Sequence, residues 1–207
     1  YGISKFVSVA DLAVGATRAE LPVVGVLPRL SDRVLKTDGV FIDGILGFDW
    51  LKKFRVQIDY KGRKLRLDPH GAPAKPARNR AIIPMEVFNG VPLIPVSINA
   101  GPVRQCLIDT GANVVSIRWD MAKASGIKPG DPELQAGPRV RGLAATENTS
   151  AIMLKRMKLG GVFFSDVPVS LYQESQLPWM YGKIGNGLFE AFRVTFDARN
   201  KQVILER

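Results

Sequence analysis

Cys106-Leu107-Ile108-Asp109-Thr110-Gly111-Ala112-Asn113-Val114-Val115-Ser116-Ile117 runs apolar into a carboxylate, turns at Gly111 and runs apolar out again. A carboxylate at the end of a buried strand costs free energy unless it is paired or used. Gly111 lets the backbone turn tightly and approach a neighbour closely. Thr110 adds a short hydroxyl able to hydrogen-bond locally. Two readings stand side by side at this point: an Asp that caps its own turn, and an Asp presented for chemistry. The rest of the chain separates them.

Composition narrows the classes. The chain has 207 residues, enough for one large or two small domains. With 46% apolar residues it holds enough for a packed core. Twenty glycines and 14 prolines suit an all-β chain with many turns. No apolar run is long enough to span a membrane, and no signal peptide is recognisable at Tyr1. The single cysteine, Cys106, excludes an internal disulfide framework and reads as a small core residue. The net charge of +10 raises the question of an anionic partner. The Lys and Arg residues are spread along the chain without interleaved aromatics, so the reading is a solvated basic surface with no nucleic-acid partner. The lone histidine, His70, has no Cys or His neighbour for a metal site. It has no Gly-x-Ser-x-Gly partner either, and is expected to be an exposed linker residue. No metal or other cofactor is implied.

Read in order, the chain opens with alternating apolar residues from Ile3 to Val14, a turn at Gly15-Ala16, and a strand from Leu21 to Val26. A polar loop spans 28–39. Asp49 to Phe54 suggests one or two helical turns with Trp50, Leu51 and Phe54 inward. A hairpin follows, Arg55 to Asp59 and Lys64 to Leu67, alternating at period two. Residues 70–80 are rich in Pro, Ala and positive charge and read as a linker between domains 1–69 and 81–207. Residues 82–88 form a strand, Asn89-Gly90 a hairpin turn, and Leu93 to Ile98 the return strand. Val103 to Asp109 is the third strand of this meander. Arg118 to Ser125 reads as a short helix stopped at Gly126, followed by a loop over 128–138. Val140 begins a hairpin returning through Ala151 to Leu159, and Gly160-Gly161 turns into a strand from Phe163 to Leu171. Trp119, Trp179 and Tyr181 read as core or cleft wall. Gly185-Asn186-Gly187 lacks the third glycine and the βαβ context of a nucleotide loop.

The last segment repeats an earlier one. Gly182 to Asp197 aligns without a gap on Gly44 to Asp59, an offset of 138 that pairs Gly47 with Gly185 and Phe54-Arg55-Val56 with Phe192-Arg193-Val194. Leu65 and Leu67 meet Val203 and Leu205. Upstream, Leu12-x-Val14-Gly15 matches Met157-x-Leu159-Gly160, and Leu21-Pro22-Val23 matches Val167-Pro168-Val169. The chain is read as an internal repeat. Asp59 and Asp197 occupy one position of it, so both read as structural residues of their hairpins.

The Leu-Ile-Asp-Thr-Gly-Ala turn, its preceding meander, the following hairpin and the apolar-Gly segment resemble the retropepsin-like (retroviral-type) aspartic protease family, including its bacterial members. The resemblance covers 81–207 as one complete unit. Residues 1–69 resemble only the C-terminal half of another, without its Asp-Thr-Gly. The fold expected is all-β: a closed retropepsin-like barrel unit plus half of a second, as a pseudo-two-fold pair. The offset places the first copy's Asp-Thr-Gly roughly 30 to 40 residues before Tyr1, as in a processed or truncated product of a longer precursor.

By this resemblance Asp109 is the catalytic carboxylate, Thr110 hydrogen-bonds across the lobe interface and Gly111 lets the turn close. Ala112, Arg141, Gly142 and Leu143 are expected to bind substrate, the last three near a flap tip. Aspartic proteolysis needs two carboxylates sharing one proton across a water. The second is expected from an upstream fragment of the same precursor or from a second copy of the chain. The activity implied is endopeptidase cleavage of a peptide or protein, with a periplasmic or secreted setting by likeness to bacterial members. The alternative is a non-catalytic peptide-binding or regulatory module of the same fold.

Overall fold

The computed structural model describes residues 5–26, 43–137, 140–141, 146–147, 149–173 and 179–207. The described chain is built on strands. It opens with a hairpin, β1 (Lys5–Val14) and β2 (Thr17–Val26), turning at Gly15 as the sequence suggests. The polar loop expected over 28–39 lies outside the described residues. A single helical turn, α1 (Phe48–Leu51), buries Trp50 completely. The Trp50 indole N–H donates to the Ala19 carbonyl at 3.3 Å, and Lys53 Nζ donates to the Glu20 carbonyl at 2.7 Å. These bonds tie the hairpin to the rest of the molecule.

The next hairpin, β3 (Arg55–Asp59) and β4 (Lys64–Asp68), enters a five-stranded sheet. The sequence suggests one strand over 82–88. The structure has two, β5 (Arg80–Pro84) and β6 (Glu86–Phe88), in different sheets. The break falls at Met85, whose side chain turns into the core and whose N–H bonds to the Lys201 carbonyl at 2.8 Å. Asn89 and Gly90 both take positive φ, 48° and 79°, as a tight hairpin turn requires. β7 (Val91–Ile98) and β8 (Arg104–Asp109) complete the meander, and β9 (Val115–Arg118) follows the Asp-Thr-Gly turn.

Helix α2 (Trp119–Ala124) ends as the sequence indicates. Gly126 stands at φ 89°, and the N–H of the buried Ile127 returns to the Ala122 carbonyl at 3.0 Å. Within the expected loop 128–138 a short strand, β10 (Gln135–Ala136), pairs with the chain further on. β11 (Val140–Arg141) and β12 (Thr146–Glu147) form a small hairpin. The two long strands expected after it are each broken once. They become β13 (Ser150–Leu154) and β14 (Met157–Leu159), then β15 (Val162–Phe164) and β16 (Val167–Tyr172). Asp166, at φ 52°, marks the second break. The chain closes through β17 (Gly182–Gly185), a 3-10 turn over Asn186–Leu188, β18 (Arg193–Asp197) and β19 (Gln202–Glu206).

The large sheet has ten strands, in the order β10-β13-β16-β9-β17-β8-β7-β14-β15 with β6 beside β7. Its inner face carries the core, including Ile94, Val96, Ile98, Ile117, Leu154 and Leu159. Cys106 is fully buried there, and burial pushes its thiol up to about 12. The smaller sheet runs β4-β3-β18-β19-β5. At its centre β3 and β18 pair antiparallel, Arg55 facing Asp197, Gln57 facing Thr195 and Asp59 facing Arg193. Gln57 Nε2 donates to Thr195 Oγ1 at 3.1 Å, across a separation of 138 positions.

His70 is not the exposed residue expected. Its Nδ1 lies 3.2 Å from Asp197 Oδ1 and its Nε2 lies 3.0 Å from the Lys52 carbonyl. Its neighbours are stitched down too. The Ala74 N–H donates to Gln202 Oε1 at 2.9 Å, and Asn200 Nδ2 donates to the Gly71 carbonyl at 2.9 Å. A Pro/Ala-rich segment thus crosses the small sheet in fixed contact with it.

Candidate active site

Asp109 ends β8, and its position is set by the strands on either side of β17. β17 runs parallel to β8, with Gly185 opposite Asp109, and antiparallel to β9, with Lys183 opposite Ser116. The Asp109-Thr110-Gly111 turn therefore sits over the C-terminal end of β17. The Gly111 N–H donates to Asp109 Oδ1 at 3.0 Å, and the Ala112 N–H donates to the Asp109 carbonyl at 3.0 Å. The Asn186 N–H then donates to the Ala112 carbonyl at 2.8 Å, fastening the turn to the segment below.

Glycine is required in that segment by close approach. A Cβ on Gly185 would stand 2.4 Å from the Val114 carbonyl oxygen and 2.6 Å from that of Ala112. One on Gly187 would stand 2.7 Å from the Asn113 carbonyl oxygen, and one on Gly182 2.7 Å from that of Ser116. These distances are below any real contact, so the backbone of β17 and the active turn can meet only where side chains are absent. Gly182 and Gly187 belong with the site residues for this reason. The signal for them in the sequence is a glycine recurring inside and just after an apolar strand.

Asp109 is half-buried, while Thr110 and Gly111 are exposed and Ala112 is half-buried. This surface position suits a carboxylate that meets a ligand. Arg141 lies on β11, opposite Thr146 of β12. Gly142 and Leu143, the other two residues expected near a flap tip, lie outside the described residues. Asp59 and Asp197 are both committed to ion pairs in the small sheet.

Beside β17, Tyr181 joins the flanking strands. Its N–H donates to the Gln105 carbonyl at 3.1 Å and its carbonyl accepts the Arg118 N–H at 2.9 Å. The guanidinium groups of Arg104 and Arg118 lie over its ring, 5.0 Å and 4.6 Å from the centroid. Arginines far apart in sequence are thus brought onto an aromatic face, which a scan of neighbouring residues does not find. Arg118 also pairs with Asp120, and that hydrogen bond holds the Asp120 carboxyl below its ordinary range. Among the described residues no cluster of three or more His, Cys, Asp or Glu side chains is placed to hold a metal.

Residues 94–188 match the family model of an aspartyl protease. The matched segment is similar to aspartyl proteases. It contains the Asp109 turn, both strands flanking β17 and β17 itself, and it leaves 1–93 and 189–207 outside the match. Among solved structures the chain is similar to a retropepsin-like aspartic protease from Rickettsia conorii. The two are 19% identical with a TM-score of 0.46, over 61% of this chain and 89% of that one. No protein of curated function matches. Among the described residues no helix is long and apolar enough to cross a membrane.

Proposed function

We propose that this chain is part of an aspartic endopeptidase in which Asp109 supplies one of two catalytic carboxylates. The observation that carries this reading is the Asp109 turn, anchored through Ala112 and Gly185 on β17, inside the segment that matches the aspartyl protease family. The second carboxylate comes from an upstream half of the same precursor or from a second chain. Two such groups about 3 Å apart cannot both ionise, so one pKa falls and the other rises. The ionised carboxylate takes a proton from a bound water, while the protonated one hydrogen-bonds to the scissile carbonyl. Water adds directly to that carbonyl and no acyl-enzyme forms. The pair titrates as a unit. Thr110 and Gly111 shape the turn, and Ala112, Arg141, Gly142 and Leu143 contact an extended peptide bound as an added strand. The paired strands β11 and β12 close over it and exclude water.

The test is cleavage of a peptide library at acidic and neutral pH, over a range of protein concentrations, by wild type and Asp109→Asn. Activity lost by at least about 100-fold in Asp109→Asn supports the reading. Activity rising with the square of concentration points to two chains sharing one site. A folded wild type that cleaves nothing, with or without the preceding part of its precursor, leaves the peptide-binding module. That second reading is favoured by one feature of the chain, its single Asp-Thr-Gly.

A further inference from the structure

β17 divides its side chains between two faces. Gly182 and Ile184 face the core: a Cβ on Gly182 would stand 3.2 Å from Cys106 Sγ and 3.0 Å from Ile117 Cγ2, and Ile184 is fully buried. Period-two alternation puts Lys183 and Gly185 on the other face. Register puts Leu107 and Asp109 of β8 there too, since Leu107 pairs with Lys183 and Asp109 with Gly185. On the opposite side Ser116 of β9 pairs with Lys183, and Ser170 of β16 pairs with Ser116. One row therefore crosses four strands, Leu107-Lys183-Ser116-Ser170, on the face that bears Asp109. Two residues of strand, about 7 Å, separate this row from the level of Asp109.

The polar groups of the row have no partners. Ser116 and Ser170 are only 7% and 4% exposed, yet neither hydroxyl makes a hydrogen bond among the described residues. Lys183 is half-buried and makes neither a hydrogen bond nor an ion pair among them. Buried hydroxyls are ordinarily paired, and a partly covered ammonium loses hydration without gaining an opposite charge. The strand does not call for a lysine, because Ile45 stands at the same place in the earlier copy of the repeat. Arg118, two residues along β9 on the same face, differs in already holding Asp120.

An ammonium with two hydroxyl donors beside it is a donor set for a carboxylate. Leu107 and, next to it on β7, the buried Leu93 give an apolar wall for the lysine's methylene stem. We infer that Lys183, with Ser116 and Ser170, binds the carboxylate of an Asp or Glu side chain in the peptide substrate. In an extended peptide that side chain falls within about two residues of the scissile bond. The inference rests on the peptidase reading above and deepens it by naming the substrate class, acidic sequences. The net charge of +10 favours the approach of such a chain.

The test uses C-terminally amidated peptides, so that no terminal carboxylate competes, differing only in Glu, Gln or Leu at each position around the scissile bond. They are offered to the full-length protein. Cleavage should favour Glu over Gln at one position by at least about 10-fold in kcat/KM. Lys183→Met should bring that ratio to about 1, and Lys183→Arg should retain a preference. Ser116→Ala and Ser170→Ala should each lower the ratio roughly threefold. A ratio does not depend on how much of a variant is folded, so a merely structural role for these residues would leave it unmoved. Binding of the same peptides to Asp109→Asn is read separately, by fluorescence anisotropy. Tighter binding of the Glu peptide with no cleavage by wild type upholds the carboxylate site and defeats the catalytic reading alone. Cleavage that is indifferent to Glu and Gln, that favours Leu, or that keeps its Glu preference in Lys183→Met overturns the inference and leaves the catalytic reading intact. A protein that neither cleaves nor binds the Glu peptide better than the Gln peptide overturns the inference as well.

Discussion

Arg55 and Asp197 face each other across the β3–β18 pair, with Arg55 Nε 2.7 Å and Nη2 2.5 Å from Asp197 Oδ2. Asp197 is fully buried, and its other contacts are Asn200 and His70. The equivalent pair on the far side, Arg193 and Asp59, stands 3.6 Å apart and more exposed. Asp59 also accepts the Gly62 N–H at 2.8 Å. Asp197→Ala should cost about 3 kcal/mol, because it strands a partly buried guanidinium and its imidazole neighbour. Asp59→Ala should cost about 1 kcal/mol. Urea denaturation of the two variants checks the difference.

The same carboxyl sets a pH dependence. Burial would push Asp197 up, but the hydrogen bonds from Asn200 and Arg55 outweigh it and hold the group below its ordinary range. A depressed folded pKa stabilises the protein above the unfolded value, about 3.9, and that contribution is lost as pH falls through the folded value. Stability should therefore fall below about pH 4 in wild type and fall less steeply in Asp197→Asn. Melting temperatures between pH 2 and 6 check this.

Gly185→Ala should damage the site through the backbone. The new Cβ would overlap the carbonyl oxygens of Val114 and Ala112, two fixed backbone atoms. We expect a loss of about 1–3 kcal/mol in stability, with displacement of the Asp109 turn. Denaturation, paired with NMR shifts of the Gly111 and Ala112 amides, separates this from simple unfolding.

The Cys106 thiol should be silent in the folded protein. It is fully buried and its pKa is raised to about 12, so little thiolate forms. A thiol reagent at pH 8 should label it only after denaturant is added. Labelling of the native protein at the unfolded rate would show that β8 opens readily.

Trp50 should hold the N-terminal hairpin in place. Trp50→Phe removes the hydrogen bond to the Ala19 carbonyl and leaves space in a fully buried site. A cost of about 2 kcal/mol is expected, with faster proteolysis within β1–β2 than elsewhere. Equal protection of all segments would argue that the hairpin has other anchors.

Several elements were legible in the chain itself because they depend on local chemistry. Asn89-Gly90 fixes its turn through two positive φ angles, and Gly126 ends α2 through another. The alternation of Arg55 to Leu67 fixes a hairpin. The Asp109 turn was identifiable because a carboxylate and a glycine interrupt an apolar strand there. Tertiary structure decided the rest. The chain breaks at Met85 because that residue passes from one sheet to the other and enters the core, which no period-two pattern encodes. His70 is drawn in by Asp197, which lies 127 positions away in sequence, and the Pro/Ala-rich segment is fixed by similarly distant partners. In sequence Asp59 and Asp197 align at an offset of 138. Only the fold made one a buried acceptor and the other a half-exposed one, because burial depends on what packs around a strand rather than on the strand's own residues.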